Sequence, residues 1–135
     1  MFKLRDVMTK DPTTVTRNTP IYDAMRTLAQ QGITGLPVVD VDGTLVGVVS
    51  EKDMLRLLYE ASLTNVAVEE FMSHDVVAFD QDDDLIDACE CLINNHFRRV
   101  PVVADGKLVG LVSRADIIRY ILKLRKLDSE SDQPT

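Results

Sequence analysis

Apolar residues recur with the spacing of an amphipathic helix at two places in the chain. The two sets are Ile21, Ala24, Met25, Leu28, Ala29 and Leu85, Ala88, Cys89, Leu92, Ile93. Positions i, i+3, i+4, i+7 and i+8 share one face of a helix, so each set predicts a helix with a buried stripe. Thr19 as N-cap, Pro20 at the first helical position and Gly32 beyond the end predict that the first helix runs from Ile21 to about Gln31.

Two runs rich in β-branched residues follow the first helix and predict a hairpin. They cover residues 36–40 and 45–50, and Asp42-Gly43 between them is typical of a tight turn. Asp105-Gly106 marks the same turn in the second half of the chain. A helical turn at 4–8 and an extended stretch at 13–16 are predicted to come before the first helix.

A second helix is predicted after each hairpin. After Ser50 its apolar face consists of Met54, Leu55 and Leu58. The equivalent face in the last helix consists of Ile117, Ile118 and Ile121, and that helix is predicted to end near Lys126.

The two halves of the chain are copies of each other. The Pro-Val-Val strand at Pro37 returns 64 positions later at Pro101, and Asp53 returns 63 positions later as Asp116. A repeat of about 60 residues buries too little surface to be stable alone, so the copies are expected to pack on each other.

We therefore predict a mixed α/β (α+β) fold of two pseudo-twofold-related β-α-β-β-α repeats packed sheet to sheet. Repeat 1 is predicted at 1–62 and repeat 2 at 63–126, with a connector at 59–67. A polar, flexible tail is predicted at 127–135.

Composition and charge narrow the class of protein. The chain has 135 residues, of which 45% are hydrophobic and 27% charged, with a net charge of −7. An acidic chain is a poor general nucleic-acid binder, so no nucleic-acid partner is expected. No apolar run approaches the roughly 20 residues that span a bilayer, and Met1 to Lys10 lacks a secretory leader, so no membrane segment and a cytoplasmic location are expected. The cysteines Cys89 and Cys91 are interpreted as packing residues rather than metal ligands.

Several motifs resemble one known family when they are taken together in their order. Each copy has an opening Met followed by Thr or Ser, a Pro-Val-Val strand, an Asp-Gly turn, and a strand that ends in Ser followed three residues later by Asp. Over residues 3–122 this resembles a tandem pair of cystathionine β-synthase (CBS) domains, a Bateman module. The resemblance implies a regulatory module that binds an adenosine-containing ligand such as AMP, ADP or ATP in clefts between the copies. It further implies a homodimer acting on a regulated protein whose identity the resemblance leaves open.

The resemblance also assigns candidate ligand contacts. Asp53 and Asp116 are expected to hold the ribose, and Ser50 and Ser113 to lie on the phosphate side. The adenine is expected to lie against Thr14, Thr34, Leu36 and Pro37 in the first copy and against Ala78, Val100 and Pro101 in the second. The residues alone leave another reading open, because a Ser followed by an acid three residues later is also an ordinary helix cap.

The copies differ in charge beside these positions. Arg98, Arg99 and Arg114 stand where the first copy has Thr34, Gly35 and Glu51. Guanidinium groups suit a phosphate chain, whereas Glu51 disfavours a polyphosphate near Asp53. The alternative is a solvated surface or ion pairs with neighbouring acids such as Asp82, Asp83 and Asp84.

Three functions remain open from the sequence. The first is an adenine-nucleotide sensor, with S-adenosylmethionine or a dinucleotide as other possible ligands. The second is a structural dimerisation module whose sites are vestigial. An enzyme is the least favoured, because the sequence offers no Gly-rich phosphate loop, metal cluster or base-activated nucleophile, so catalytic residues and required cofactors are not expected.

Overall fold

The computed structural model describes residues 2–59 and 65–132, with side chains described through Leu127. The strands are β1 Thr9–Lys10, β2 Gly35–Val39, β3 Leu45–Ser50, β4 Phe79–Asp80, β5 Arg99–Ala104 and β6 Lys107–Ser113. The helices are α1 Ile21–Gln31, α2 Glu51–Leu55, α3 Leu85–Asn94 and α4 Arg114–Asp132, with short 3-10 turns at Leu4–Asp6, Arg56–Tyr59 and Val68–Glu70. Positions 60–64 of the predicted connector and 133–135 of the predicted tail lie outside the described residues.

The chain forms two compact units. Unit 1 comprises Met1–Pro12, Ala78–Asp105 and Val109–Thr135, and unit 2 comprises Thr13–Val77 and Gly106–Leu108. The repeats at 1–62 and 63–126 divide the chain by sequence rather than by contact, and their boundaries stay a prediction.

Unit 1 is built on a four-stranded sheet in the order β1-β6-β5-β4. The edge strand β1 is antiparallel to β6, with Thr9 opposite Leu111. At the other edge β4 is parallel to β5, with Phe79 opposite Val102. Strand β1 comes from the first repeat, so the unit formed by the second repeat takes its edge from the start of the chain.

Unit 2 repeats this arrangement with shorter edges. Strands β2 and β3 form an antiparallel pair. Single bridges continue the order on both sides, parallel between Val15 and Val38 and antiparallel between Val48 and Ser73. These bridges are equivalent, at the repeat offset, to the Phe79 and Thr9 pairings of unit 1. The predicted mixed α/β repeat is confirmed, and the exchange of edges between repeats is a feature that the sequence analysis missed.

The predicted helical stripes form the centre of each core, except for the last residue of each stripe. Ile21, Ala24 and Leu28 of α1 are buried in unit 2, and α3 presents the equivalent residues to the core of unit 1. Burying a large aliphatic side chain contributes about 1.5–3 kcal/mol, so these stripes fix the helices on their sheets. The last stripe residues, Ala29 and Ile93, are exposed instead.

The predicted N-cap of α1 is wrong. The hydroxyl of Thr19 accepts a hydrogen bond from the amide of Thr16, 3.0 Å away, and so closes the turn before the helix. Pro20 occupies the capping position without a side-chain hydrogen bond. The amide of Ile21 donates to the carbonyl of Val66 at 2.7 Å, so a distant segment satisfies the helix start. The predicted end is confirmed, because Gly32 adopts the left-handed conformation with φ 63°.

The predicted tight turns are confirmed. Gly43 has φ 89°, and Asp105 and Gly106 have φ 52° and 79°. Two successive residues with positive φ match the twist of an antiparallel hairpin, which explains the Asp-Gly dipeptide between β5 and β6.

The apolar faces predicted for the helices after the hairpins are only partly buried. In unit 2 Met54 and Leu57 are buried, whereas Leu55 and Leu58 are exposed. In α4 only Ile117 of its predicted face is buried, and Ile118 and Ile121 are exposed. Each of these helices therefore carries more apolar surface than its own unit covers.

Helix α4 also extends beyond its predicted end at Lys126, reaching Asp132. No glycine or proline occurs between Lys126 and Asp132, so no strong helix-ending residue intervenes. No helix in the described part of the chain combines the length and apolar character needed to cross a bilayer.

Gly110 should be far less tolerant of a side chain than Gly35. A Cβ atom at Gly110 would lie 2.6 Å from the Met8 sulfur and 2.8 Å from the Thr9 carbonyl oxygen, whereas one at Gly35 would lie 3.4 Å from its nearest neighbour. We expect Gly110→Ala to lower the free energy of unfolding by about 1–3 kcal/mol, because β1 must move away from β6. Urea denaturation measures this, with Gly35→Ala as the matched control. Equal stability of the two variants would contradict the close packing of β1.

Candidate functional site

The junction between β3 and α2 is organised by the carboxylate of Asp53. Its Oδ2 atom accepts hydrogen bonds from the amide and hydroxyl of Ser50, at 2.9 and 3.0 Å. The amide of Asp53 donates in return to the Ser50 hydroxyl at 3.3 Å. This reciprocal capping box confirms that Ser50 and Asp53 form a helix cap.

The junction between β6 and α4 repeats the capping box and adds two donors. Oδ2 of Asp116 accepts from the amide and hydroxyl of Ser113, at 2.8 and 3.0 Å. Oδ1 accepts from the hydroxyl of Thr9 at 2.9 Å and from Nη2 of Arg119 at 2.6 Å. Asp116 is the only buried charged side chain among the described residues, with 7% of its surface exposed.

The surroundings of Asp116 favour its ionised form. Burial acts to raise the pKa of Asp116, but the hydrogen bonds from Ser113, Thr9 and Arg119 together outweigh it and hold the pKa below the ordinary aspartate value. Asp116 is therefore a carboxylate at neutral pH, and it accepts hydrogen bonds from all three of these residues.

In unit 2 the other predicted contacts lie around the first junction. The carbonyl of Thr34 accepts a hydrogen bond from the amide of Glu51 at 2.9 Å, which joins the entrance of β2 to the start of α2. Leu36 and Pro37 follow in β2 and are buried. Exposed Thr14 precedes Val15, whose amide donates to the Pro37 carbonyl at 3.1 Å.

In unit 1 the equivalent residues lie in β5 and next to β4. Val100 and Pro101 are buried in β5, and half-buried Ala78 comes directly before β4, the parallel neighbour of β5. The structure thus places each repeat's predicted residues within one unit. Unit 2 holds Thr14, Thr34, Leu36, Pro37, Ser50 and Asp53, and unit 1 holds Ala78, Arg98, Arg99, Val100, Pro101, Ser113, Arg114 and Asp116.

The three arginines have unlike surroundings. Arg98 is exposed, and Arg114 donates from Nη2 to the Leu92 carbonyl at the end of α3, 2.8 Å away. Arg99 is half-buried, and its Nε atom is buried with no hydrogen-bond partner among the described residues. Asp82, one of the acids considered as a partner for these arginines, pairs with Lys3 and Arg5 instead.

Thr9 and Arg119 are functional candidates that the sequence analysis missed. In the sequence Thr9 stands out only as part of the opening Met-Thr motif, 107 positions before its partner Asp116. Arg119 stands three residues after Asp116, a spacing that brings helix side chains together. The three-residue spacing of Asp116 and Arg119 is the one feature of the sequence that could have indicated a partner of Asp116.

A groove of about 680 Å³ lies on unit 2, between α1 on one side and α2 with the 3-10 turn that follows it on the other. Its walls are mostly apolar and include the outer sides of both helices. The lining residues that bear on its character are Tyr22, Met25, Ala29, Glu51, Leu55 and Leu58. This groove was not predicted, because the apolar positions of both helices were assigned to the core.

The cysteines pack as small apolar residues. Cys89 and Cys91 are free and half-buried, and both pack against the core of unit 1. Within the residues that the structure describes, no three His, Cys, Asp or Glu side chains are grouped as metal ligands.

Comparison with known proteins identifies the family. The CBS domain profile matches residues 4–60 and 68–123. The chain therefore belongs to the CBS-domain family, as a tandem pair of such domains. The resemblance noted in the sequence is confirmed.

Individual relatives agree with this assignment. The solved structure of CBSX2 in complex with AMP is 34% identical, with a TM-score of 0.83, over 93% of this chain and 99% of that one. A solved CBS pair of protein MJ0100, in complex with 5-methylthioadenosine and S-adenosylmethionine, is 29% identical with a TM-score of 0.74, over 90% and 96% of the two chains. The uncharacterised protein MJ1225 of Methanocaldococcus jannaschii is 28% identical over 87% of this chain, which spans only 42% of that longer relative.

Acid should destabilise the protein partly through Asp116. Because its folded pKa lies below the ordinary value, its contribution to stability is present above about pH 4 and is lost as the pH falls through the folded pKa. We expect the urea midpoint of the wild type to fall more steeply between about pH 5 and pH 2 than that of Asp116→Asn. Thr9→Val, which removes one of the donors, should give an intermediate slope. Parallel profiles for all three proteins would contradict this role.

Proposed function

We propose that this chain is a regulatory module that binds adenosine-containing nucleotides and passes the binding event to a partner protein. The supporting observation is the duplicated strand-to-helix junction, in which a serine holds the aspartate side chain, in a fold shared with CBSX2, a protein solved with AMP. CBS pairs are generally regulatory modules rather than enzymes. We therefore propose a binding function for this chain and not a catalytic one.

Ribose recognition is assigned to Asp53 and Asp116. Each carboxylate is fixed by its serine at a strand end, and a carboxylate can accept hydrogen bonds from both hydroxyls of a ribose. The cap uses only Oδ2 in both cases, so it leaves Oδ1 of Asp53 open to a ligand, whereas Oδ1 of Asp116 already accepts from Thr9 and Arg119.

Phosphate recognition is assigned to Ser50 and Ser113, with Arg98, Arg99 and Arg114 adding positive charge in unit 1. The buried Nε of Arg99 supports this, because a cationic N–H group without a partner is costly and an anionic oxygen would satisfy it. The equivalents of Arg99 and Arg114 in unit 2 are Gly35 and Glu51. We therefore assign the more highly phosphorylated ligand, ADP or ATP, to unit 1.

Adenine recognition is assigned to the strand entrances. In unit 2 these are Thr14, Thr34, Leu36 and Pro37, and in unit 1 they are Ala78, Val100 and Pro101. The entrance of β2 is held beside the first junction by two hydrogen bonds, from Glu51 to Thr34 and from Val15 to Pro37. S-adenosylmethionine is the second candidate ligand, since it carries no phosphate for Glu51 to repel and a related pair, MJ0100, was solved with it.

We also propose that the module acts as a homodimer through its incompletely covered helices. Leu55 and Leu58 are 61% and 75% exposed, and Ile118 and Ile121 are 58% and 55% exposed. In unit 2, Leu55 and Leu58 also line the apolar groove, and exposed apolar surface of this kind marks interaction sites.

Nucleotide binding should depend on Asp116. We expect calorimetry to detect binding of AMP or ATP to the wild type and at least about tenfold weaker binding to Asp116→Ala, because the ribose hydroxyls lose a charged acceptor. Glu90→Ala is the matched control, since it removes an exposed acid of the same charge from α3. Unchanged binding by Asp116→Ala would overturn the assignment of this site.

Thermal unfolding distinguishes the sensor from a structural module with vestigial sites. A ligand that binds only the folded state must raise its melting temperature. AMP, ATP, S-adenosylmethionine and NADH are compared at the same concentration. A flat response to all four would favour the structural module.

Dimerisation should be sensitive to charge on the exposed helix faces. We expect Leu58→Glu and Ile121→Glu to shift the sedimenting species from dimer to monomer, because each would bury a carboxylate in an apolar interface. Val41→Glu is the control, since Val41 is an equally apolar but fully exposed residue in the turn between β2 and β3. A wild-type monomer at all concentrations, or a dimer that survives both substitutions, would exclude this interface.

A further inference from the structure

Asp116 has no acceptor position left for a ligand. A carboxylate has about four lone-pair positions. Ser113 fills the two on Oδ2, and Thr9 and Arg119 fill the two on Oδ1. The side chain is also buried, so a hydroxyl group from outside cannot simply be added to this set.

Asp53 provides a matched comparison within the same chain. Its Oδ2 carries the same two hydrogen bonds from Ser50, but no described residue donates to its Oδ1 atom. At the repeat offset, Ser73 is the equivalent of Thr9 and Arg56 is the equivalent of Arg119. The two units therefore contain the same kinds of donor but use them differently.

One difference in sequence accounts for the different contacts of Arg56 and Arg119. Arg56 lies over the ring of Phe71, with its guanidinium carbon 5.1 Å from the ring centroid, a favourable cation–π contact. The equivalent of Phe71 in unit 1 is Val7, which has no aromatic ring. Arg119 therefore lacks that alternative and pairs with Asp116.

The Thr9 contact connects Asp116 to the edge of the sheet. Thr9 lies in β1 and is paired with Leu111 of β6. Its hydroxyl holds the start of α4, and its carbonyl lies against Gly110. Displacing the hydroxyl from Asp116 removes one of the contacts that fasten β1 to the unit.

We propose that Thr9, assisted by Arg119, is a built-in competitor for Asp116, so that a ligand hydroxyl binds this carboxylate only by displacing the Thr9 hydroxyl and loosening β1. The proposal rests on the proposed function, in which ribose binds at Asp116. Arg119 is the weaker competitor, because its side chain is 68% exposed and its guanidinium group is readily solvated when it leaves Asp116. Thr9 is thus the residue that links ligand occupancy to the N-terminal strand.

The test compares AMP affinity in Thr9→Val and Ser73→Ala. Valine keeps the shape of threonine and removes the hydroxyl, so AMP should bind Thr9→Val about tenfold more tightly than the wild type, the gain expected from removing one competing charge-assisted hydrogen bond. Ser73→Ala is the control, because no hydrogen bond from Ser73 to Asp53 is found among the described residues, and its affinity should equal that of the wild type.

Hydrogen exchange gives a second, independent readout. In the wild type, saturating AMP should speed exchange of the backbone amides at residues 9–10 and 110–111, whereas Thr9→Val should exchange fast there without AMP. Tight wild-type binding with equal or weaker binding by Thr9→Val would overturn the competitor role and leave the proposed function standing. Binding of AMP by neither protein would overturn both.

Discussion

Both units depend on one contact, the bond between an aspartate carboxylate and the amide of the serine three residues before it. This contact ends a strand and begins a helix, so the position of the helix on the sheet follows from it. It uses only one oxygen of each carboxylate. The second oxygen differs between the units: no described residue donates to it in Asp53, whereas in Asp116 it accepts from Thr9 and Arg119.

Much of the fold follows from local patterns in the sequence. The helical stripes, the Asp-Gly turns and the strand ends at Ser50 and Ser113 are each determined by neighbouring residues, and they were predicted correctly. The exchange of edge strands was not predicted, because Thr9 pairs with a residue 102 positions away and no periodicity encodes such a partner. The N-cap at Thr19 failed for a similar reason, since the start of α1 is satisfied by Val66.

The helices that follow the hairpins show where pattern alone is insufficient. An apolar position indicates surface that avoids water, but it does not say which partner covers it. Met54 and Ile117 are covered by their own units, whereas Leu58 and Ile121 are exposed. In the candidate site the choice of serines and aspartates could be predicted from the repeat. The saturation of Asp116 could not, because it depends on Thr9, which lies 107 positions away in the sequence, and on the side-chain direction of Arg119.

A sensor needs a structural element whose stability differs between its bound and free states. A ligand can shift a conformational equilibrium only by as much as it prefers one state over the other. If the ligand simply added hydrogen bonds to an open carboxylate, the binding energy would not be coupled to any movement of the chain. In the competition that we propose at Asp116, the ligand must exchange with Thr9, so part of its binding energy would be spent on releasing β1. In this proposal unit 1 would transmit binding, and unit 2, where no described residue donates to Oδ1 of Asp53, would bind without that cost.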